Sequence, residues 1–331
     1  MKVFLTSAYP IDPITNFTPN FLKESYQADP YKIHEITDDP NEADIIIFAE
    51  HHPGPDPFFF DVLKNKIYKK FKHKCYLYHD ADYSLTFIPT ISPSILKSKS
   101  DPVFHRPYSY LVQLSPNSAI RETLPSSDKK FLFSFIGAKR NQLSRNKIFE
   151  LKYDRSYVFD TANKKSWELS AAERTEYEQI YANVCYESKF ILCPGGLGPN
   201  SYRLYESLEM GIAPVIISDE WVPSEGPEWD NFSVRIAESE VYKIPAILEE
   251  KEAEYSKMGQ LARQAWLDWF AKDKQFHHLT ETCISLHHSR PRVTLITYIK
   301  QFRRFLEPFY GRAILRFYKN LIKNNLFRLN K

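Results

Sequence analysis

The stretch Phe190–Ser218, FILCPGGLGPNSYRLYESLEMGIAPVIIS, decides the fold class of this chain. Phe190-Ile191-Leu192-Cys193 is an uninterrupted apolar run, the mark of a strand buried on both faces. Pro194-Gly195-Gly196-Leu197-Gly198-Pro199 cannot continue it and reads as a turn. Asn200 or Ser201 then caps a helix over about Tyr202–Met210, Gly211 ends the helix, and Ala213–Ile217 is a second buried strand. A strand–loop–helix–strand unit of this kind lies in a parallel sheet, and such sheets bind ligands at the carboxyl ends of their strands. The loop residues Gly196, Gly198, Asn200 and Ser201 bring backbone N–H groups to a helix N-terminus, the chemistry of a phosphate or diphosphate cradle. Arg203, in the first turn, adds a bidentate donor for the same anion. Glu206, three residues on, shares its helix face and can accept hydrogen bonds from ribose hydroxyls.

The same stretch continues a longer pattern of spaced residues: Ser188, Phe190, Leu192, Cys193, Pro194, Gly196, Gly198, Ser201, Arg203, Leu204, Glu206, Ser207, Leu208, Gly211, Pro214, Val215, Ile216, Ser218 and Asp219. Trp229, Phe232, Ser233, Val234 and Glu238 come after it, and Phe133–Ala138 with Arg140 and Arg145 precede it. Taken together, residues 131–258 resemble the C-terminal half of exostosin-type glycosyltransferases. Gly195 departs from the pattern, since most relatives carry Arg after the Cys-Pro pair. More loosely, Ala43–Ile47 and His79-Asp80 are similar to elements of that family's N-terminal half. The resemblance implies an α/β fold of two Rossmann-like domains facing across a cleft, the GT-B type. It also implies that Gly137, Arg140 and Asp219 join the loop and Arg203 and Glu206 in holding a nucleotide-sugar, a UDP-sugar first.

Composition agrees with two domains. The chain has 331 residues, of which 43% are hydrophobic, enough for two cores. Strand and helix signals alternate in the first part: Lys2–Ser7, Asn20–Ala28, Tyr31–Thr37, Ala43–Ala49, Phe59–Lys70 and Cys75–Tyr78. Prolines crowd Pro89–Pro125, which reads as irregular. Expected boundaries are 1–128 for an acceptor-side domain, 129–275 for the nucleotide-sugar domain, and 276–331 for a crossing helix and tail. Cys75, Cys185, Cys193 and Cys283 have no metal-site or disulfide spacing and read as buried reduced thiols. With neither a signal peptide nor an 18-residue apolar run, the expected location is cytoplasmic.

Charge is uneven. Residues 290–331 carry eleven Lys or Arg and one acid, a surplus of +10, while residues 1–289 sum to −7. Val293, Ile296, Ile299, Phe302, Phe305, Leu306 and Phe309 recur at helical spacing among those charges. Such a segment suits the surface of an anionic membrane, here the inner face. The competing reading packs it against the N-terminal domain. A nucleic-acid partner is not expected, because the preceding body is acidic and carries no recognition motif.

Sugar transfer needs a stabiliser for the departing diphosphate and, with inversion, a base for the acceptor hydroxyl. Arg203, Arg140 and the 195–202 loop supply the first without a metal, so no metal or other cofactor is expected. Asp80-Ala81-Asp82 is the one carboxylate pair that a metal-dependent enzyme could use as ligands. Asp12, Glu50 and Asp80 stand as alternative bases, with His79 and His51 behind them. Trp221 and Trp229 either stack on a sugar ring or pack a domain interface. The acceptor implied by the tail is a glycan or lipid-linked glycan in surface polysaccharide or lipopolysaccharide synthesis. A non-catalytic member that binds sugar nucleotide or scaffolds a partner is the competing class.

Overall fold

The computed structural model describes all residues except 13–15, 52–55, 83–84, 112–115, 121–128, 140–142, 164–168, 290–293, 309, 312–313, 316, 320–321 and 323–331. The chain forms two compact units, one of Met1–Leu114 with Lys272–Lys331 and one of Ser115–Ala271. Residues 272–331 therefore belong with the first unit instead of forming the separate segment expected from 276, and the first boundary falls at 114 instead of 128.

The first unit is built on β1 (Lys2–Thr6), α1 (Thr18–Ala28), β2 (Glu35–Ile36), β3 (Ile45–Glu50), α2 (Phe60–Lys64), α3 (Lys66–Phe71), β4 (Cys75–His79), β5 (Thr90–Ser92) and β6 (His105–Pro107). The six strands are all parallel, in the order β2-β1-β3-β4-β5-β6. Every residue of β3 and β4 is buried, as the apolar runs Ile45–Ala49 and Cys75–Tyr78 require, and the burial extends to Glu50 and His79 at their ends. The helix expected over Phe59–Lys70 is two, because Asn65 turns extended and its side chain caps the second by accepting from Ile67 N at 2.8 Å. Two short strands occupy the proline-rich stretch expected to be irregular; they lie at the open side of the sheet, where Pro107 at the end of β6 costs no ladder bond.

In the second unit, β7 (Phe131–Gly137), α4 (Leu143–Glu150), β8 (Ser156–Asp160), α5 (Ala171–Tyr186), β9 (Ser188–Pro194), α6 (Tyr202–Glu209), β10 (Ala213–Ile217), β11 (Val234–Arg235), α7 (Ile244–Glu250) and α8 (Tyr255–Ala265) follow one another. Its five strands are also parallel, in the order β11-β10-β9-β7-β8. Gly211 closes α6 at φ 68°, a left-handed conformation that side chains resist. Both units are thus Rossmann-like α/β layers, as the alternating pattern predicts.

Two further helices, α9 (Lys272–His288) and α10 (Leu295–Arg304), return to the first unit. Phe276, Leu279, Cys283 and Leu286 of α9 share a core with Val3, Leu5, Ile45 and Ile47. Burying four such side chains is worth several kcal/mol, at about 1.5–3 kcal/mol each, which is why α9 belongs with the first sheet. The basic tail also packs. Phe305 lies 4.6 Å from Phe58 between ring centroids, Tyr298 stacks on Phe87 at 5.4 Å, and Tyr310 is fully buried. The tail is therefore not the free interfacial helix that its charge suggests. Its other face, however, keeps Leu295, Ile296, Ile299, Phe302 and Leu306 exposed. All four cysteines are buried free thiols, as expected.

Candidate functional site

In the second sheet the strand order reverses between β7 and β9, the kind of position at which open parallel sheets bind ligands. The glycine-rich loop leaves β9 at this point and leads into α6. Arg145 anchors the loop, with Nε donating to Gly195 O at 2.8 Å and Nη1 to Ala138 O at 3.2 Å. Arg203 donates from Nη2 to Ile136 O and lies over the Phe135 ring, 4.8 Å from its centroid. Gly137 must lack a side chain here, since a Cβ would come within 2.9 Å of both Arg203 Nη2 and the Phe135 ring.

Two of the backbone donors expected to be bare are already used. Gly195 N donates to Ile217 O at 3.3 Å and Gly196 N to Asn200 O at 3.1 Å. Ser201 N likewise donates to Asn200 Oδ1 at 2.8 Å, and Asn200 Nδ2 reaches the Tyr205 hydroxyl at 3.1 Å. These bonds give the loop one fixed shape, which shifts the anion-binding capacity towards side chains. Ser201 Oγ and Arg203 Nε are both buried without a hydrogen-bond partner. A native fold rarely leaves buried donors unmet unless something else meets them.

Glu206, one turn after Arg203, accepts from the Tyr181 hydroxyl of α5 at 2.7 Å through Oε2. Gly198 lies within the loop. Asp219 is exposed after β10, and its Oδ1 accepts from Glu238 N at 3.2 Å while Glu238 Oε1 accepts from Asp219 N at 3.2 Å. Arg140 lies outside the described residues. Trp221 and Trp229 form a buried edge-to-face pair 5.0 Å apart, joined by Phe232 and Phe270. They pack within the core of the second unit instead of presenting a ring face to a sugar.

The first unit gathers its own group at the carboxyl ends of β1, β3 and β4. Register pairs Glu50 with His79, so the next residues, His51 and Asp80, emerge side by side. His51 Nδ1 lies 2.7 Å from Asp80 Oδ2. The Asp80 side chain is 1% exposed and that of His51 13% exposed, so only the imidazole can meet a solute. Phe17 packs against the His51 ring at 5.0 Å. Burial pulls the His51 pKa down while the hydrogen bond and charge of Asp80 push it up, and the balance lies above its ordinary value.

Glu50 is fully buried. Its Oε2 accepts from Ser7 Oγ at 2.5 Å and from Asn16 Nδ2 at 3.4 Å, and its Oε1 from Ala8 N at 2.7 Å. Burial nonetheless dominates those bonds and raises its pKa to about 7. Glu50 is thus a post that fixes the loop after β1. Asp12 sits half-buried on that loop, its N–H donating to Asn16 O at 3.3 Å. His79 is buried against Phe59. Asp82 is half-buried after β4, and Asp80 Oδ2 is already committed to His51. The sequence contains both members of the His51–Asp80 pair, but nothing local shows that they meet. The only signal was that Glu50 and His79 each end a buried run, and strand register then aligns the residue after each.

The exostosin GT47 domain profile matches residues 75–251 of the chain. The exostosin-1 homolog of Caenorhabditis elegans is 25% identical over 263 residues, covering 65% of this chain and 67% of that protein. Exostosin-1 of Drosophila melanogaster is 27% identical over 184 residues, 51% of this chain, and the match spans only 24% of that protein's length. Among solved structures, TarM superposes with a TM-score of 0.40 at 9% identity, over 73% of this chain and 54% of that one.

Proposed function

Because the chain belongs to the exostosin GT47 family of glycosyltransferases, we propose that it moves a sugar from a nucleotide-sugar, a UDP-sugar, to a glycan or lipid-linked glycan acceptor with inversion. The observation that carries this reading is the buried, unpartnered pair Ser201 Oγ and Arg203 Nε at the reversal of strand order. A diphosphate at that point satisfies both donors. The acceptor hydroxyl gives its proton to His51 Nε2, since Asp80 holds the Nδ1 side of the ring. The hydroxyl oxygen then bonds to the sugar C1 as the bond from C1 to the diphosphate oxygen breaks. The charge left on the diphosphate is met by Arg203, so no metal is needed for this step. Gly137, Gly196, Gly198 and Asn200 shape the cradle, Glu206 accepts from the ribose, and Asp219 stands at the sugar end. Arg140 is the further cationic candidate. Among the three candidate carboxylate bases, the geometry favours none directly. Asp80 acts through His51, Glu50 holds the loop, and Asp12 is the alternative should His51 prove dispensable.

A panel of nucleotide-sugars tests the reading, using thermal shift together with donor hydrolysis in excess EDTA. A UDP-sugar should raise the melting temperature and be hydrolysed slowly with EDTA present. No response to any nucleotide would point to the non-catalytic class. Loss in EDTA that manganese or magnesium restores would favour Asp80 and Asp82 as ligands.

The acceptor class, in surface polysaccharide or lipopolysaccharide synthesis, rests on the tail. Leu295, Ile296, Ile299, Phe302 and Leu306 make an exposed stripe beside Lys300 and Arg303, which suits anionic lipid on the inner face of a membrane. Each basic residue at such a surface adds about 1 kcal/mol, lost as salt screens it. Replacing Leu295, Ile296 and Leu306 by Ser should release the protein from anionic vesicles at low salt without lowering its melting temperature, because these side chains touch solvent. Full-length protein that ignores such vesicles would remove the membrane from the proposal. Truncation after Ser289 is the poorer test, since it uncovers Phe58 and Phe87 and should destabilise the first unit.

A further inference from the structure

The first unit holds a second polar group at the opposite end of its sheet. His34 stands just before β2, at the amino ends of the strands, and His277 and Glu281 lie one turn apart on α9. One ligand atom from each of the three lies within 4.8 Å of the others. His34 is 3% exposed and His277 is 8% exposed, their rings stacked at 5.3 Å, with Tyr31 stacked on His277 at 4.0 Å. His34 Nε2 is 2.8 Å from Glu281 Oε1, yet it has no partner in hydrogen-bonding geometry. Nδ1 of His277 is also buried without a partner.

A simple ion pair leaves these facts unexplained. It would use one nitrogen of His34, with the proton directed at the carboxylate, and it gives nothing to His277. We propose that His34, His277 and Glu281 bind a divalent transition-metal ion, zinc in the first instance, as a clamp that fastens α9 to the edge of the first sheet. Two imidazoles and a carboxylate are a zinc donor set, with one position left for water. Bonds of about 2.1 Å to a tetrahedral ion put ligand atoms about 3.4 Å apart, so the three need to close by little more than a rotamer adjustment. Burial, the largest influence on His34, lowers its pKa. The site lies at the end of the strands away from His51 and Asp80. Its role is structural, and it is independent of the transfer reading above.

Full-length protein stripped with a chelator and dialysed should be titrated with zinc in competition with a chromophoric chelator, and separately with cobalt(II). Saturable binding of one ion per chain, a raised melting temperature and the intense visible bands of tetrahedral cobalt are expected. Glu281→Gln alters a half-exposed side chain and should fold normally by circular dichroism. It and His277→Gln should each weaken zinc binding by at least about tenfold. Absence of saturable binding, or equal affinity in folded Glu281→Gln, would overturn the proposal. Neither result touches nucleotide binding, which is read in the second unit.

Discussion

Replacing His51 by Ala should lower turnover by about 10²- to 10⁴-fold, the range for loss of a positioned general base, while nucleotide binding stays as in wild type. Only neutral imidazole accepts the acceptor proton, so kcat/KM should rise with pH through the His51 pKa. Burial lowers that pKa and Asp80 raises it, leaving it above the ordinary 6.5, and the limb should lie there. Asp80→Asn removes the charge that raises the pKa and weakens the hydrogen bond to the ring, leaving burial the stronger influence. Its limb should therefore move to lower pH, and its plateau should fall because the ring loses its orientation. A purely structural Asp80 would lower the plateau without moving the limb. His51→Ala with wild-type turnover would send the search for the base to Asp12.

Arg203→Ala should weaken nucleotide binding by about 1.5–3 kcal/mol, the worth of a hydrogen bond to a charged group, or about 10- to 150-fold in Kd. Turnover should fall at least as far, because the charge on the leaving diphosphate grows in the transition state. Arg203 also donates to Ile136 O and lies over Phe135, so part of the loss can come from a loosened β7 end. Arg203→Lys separates the two. It keeps the positive charge but neither the planar fork nor the stacking, and should recover only part of the affinity. Binding measured by titration calorimetry, beside circular dichroism to establish folding, decides the matter. A folded Arg203→Ala protein with unchanged affinity and turnover would remove Arg203 from the cradle.

The part of the second unit around its glycine-rich loop was legible in its sequence. Residues 190–218 spell strand, turn, helix and strand because each transition has a local cause: the apolar run, the Pro-Gly cluster, the polar cap, and Gly211 with its positive φ. Arg203 and Glu206 share a helix face by spacing alone. The occupation of the Gly195 and Gly196 N–H groups was not legible, because their partners, Ile217 O and Asn200 O, depend on how the loop closes on β10. The two tryptophans were equally ambiguous, since an aromatic side chain fits a core and a sugar platform alike until its neighbours are known.

In the first unit the sequence marked β1, β3 and β4 as strands but missed β5 and β6, and the tertiary structure decided the chemistry. His51 and Asp80 become a pair only through the parallel register that sets Glu50 beside His79. Register is a relation between strands and leaves no mark within either one. Burial then chose between them: the carboxylate is sealed and the imidazole reaches solvent, the reverse of the order suggested by residue type. The tail shows the same division. Its amphipathic spacing and +10 charge are properties of the sequence, and they fit a membrane face and a packed helix equally well. Packing of Tyr298, Phe305 and Tyr310 on the first unit, with Leu295, Ile296 and Leu306 left outside, is settled by which aromatic surfaces the fold brings within reach. Local pattern fixes what a segment can be, and only contact between distant segments fixes what its side chains meet.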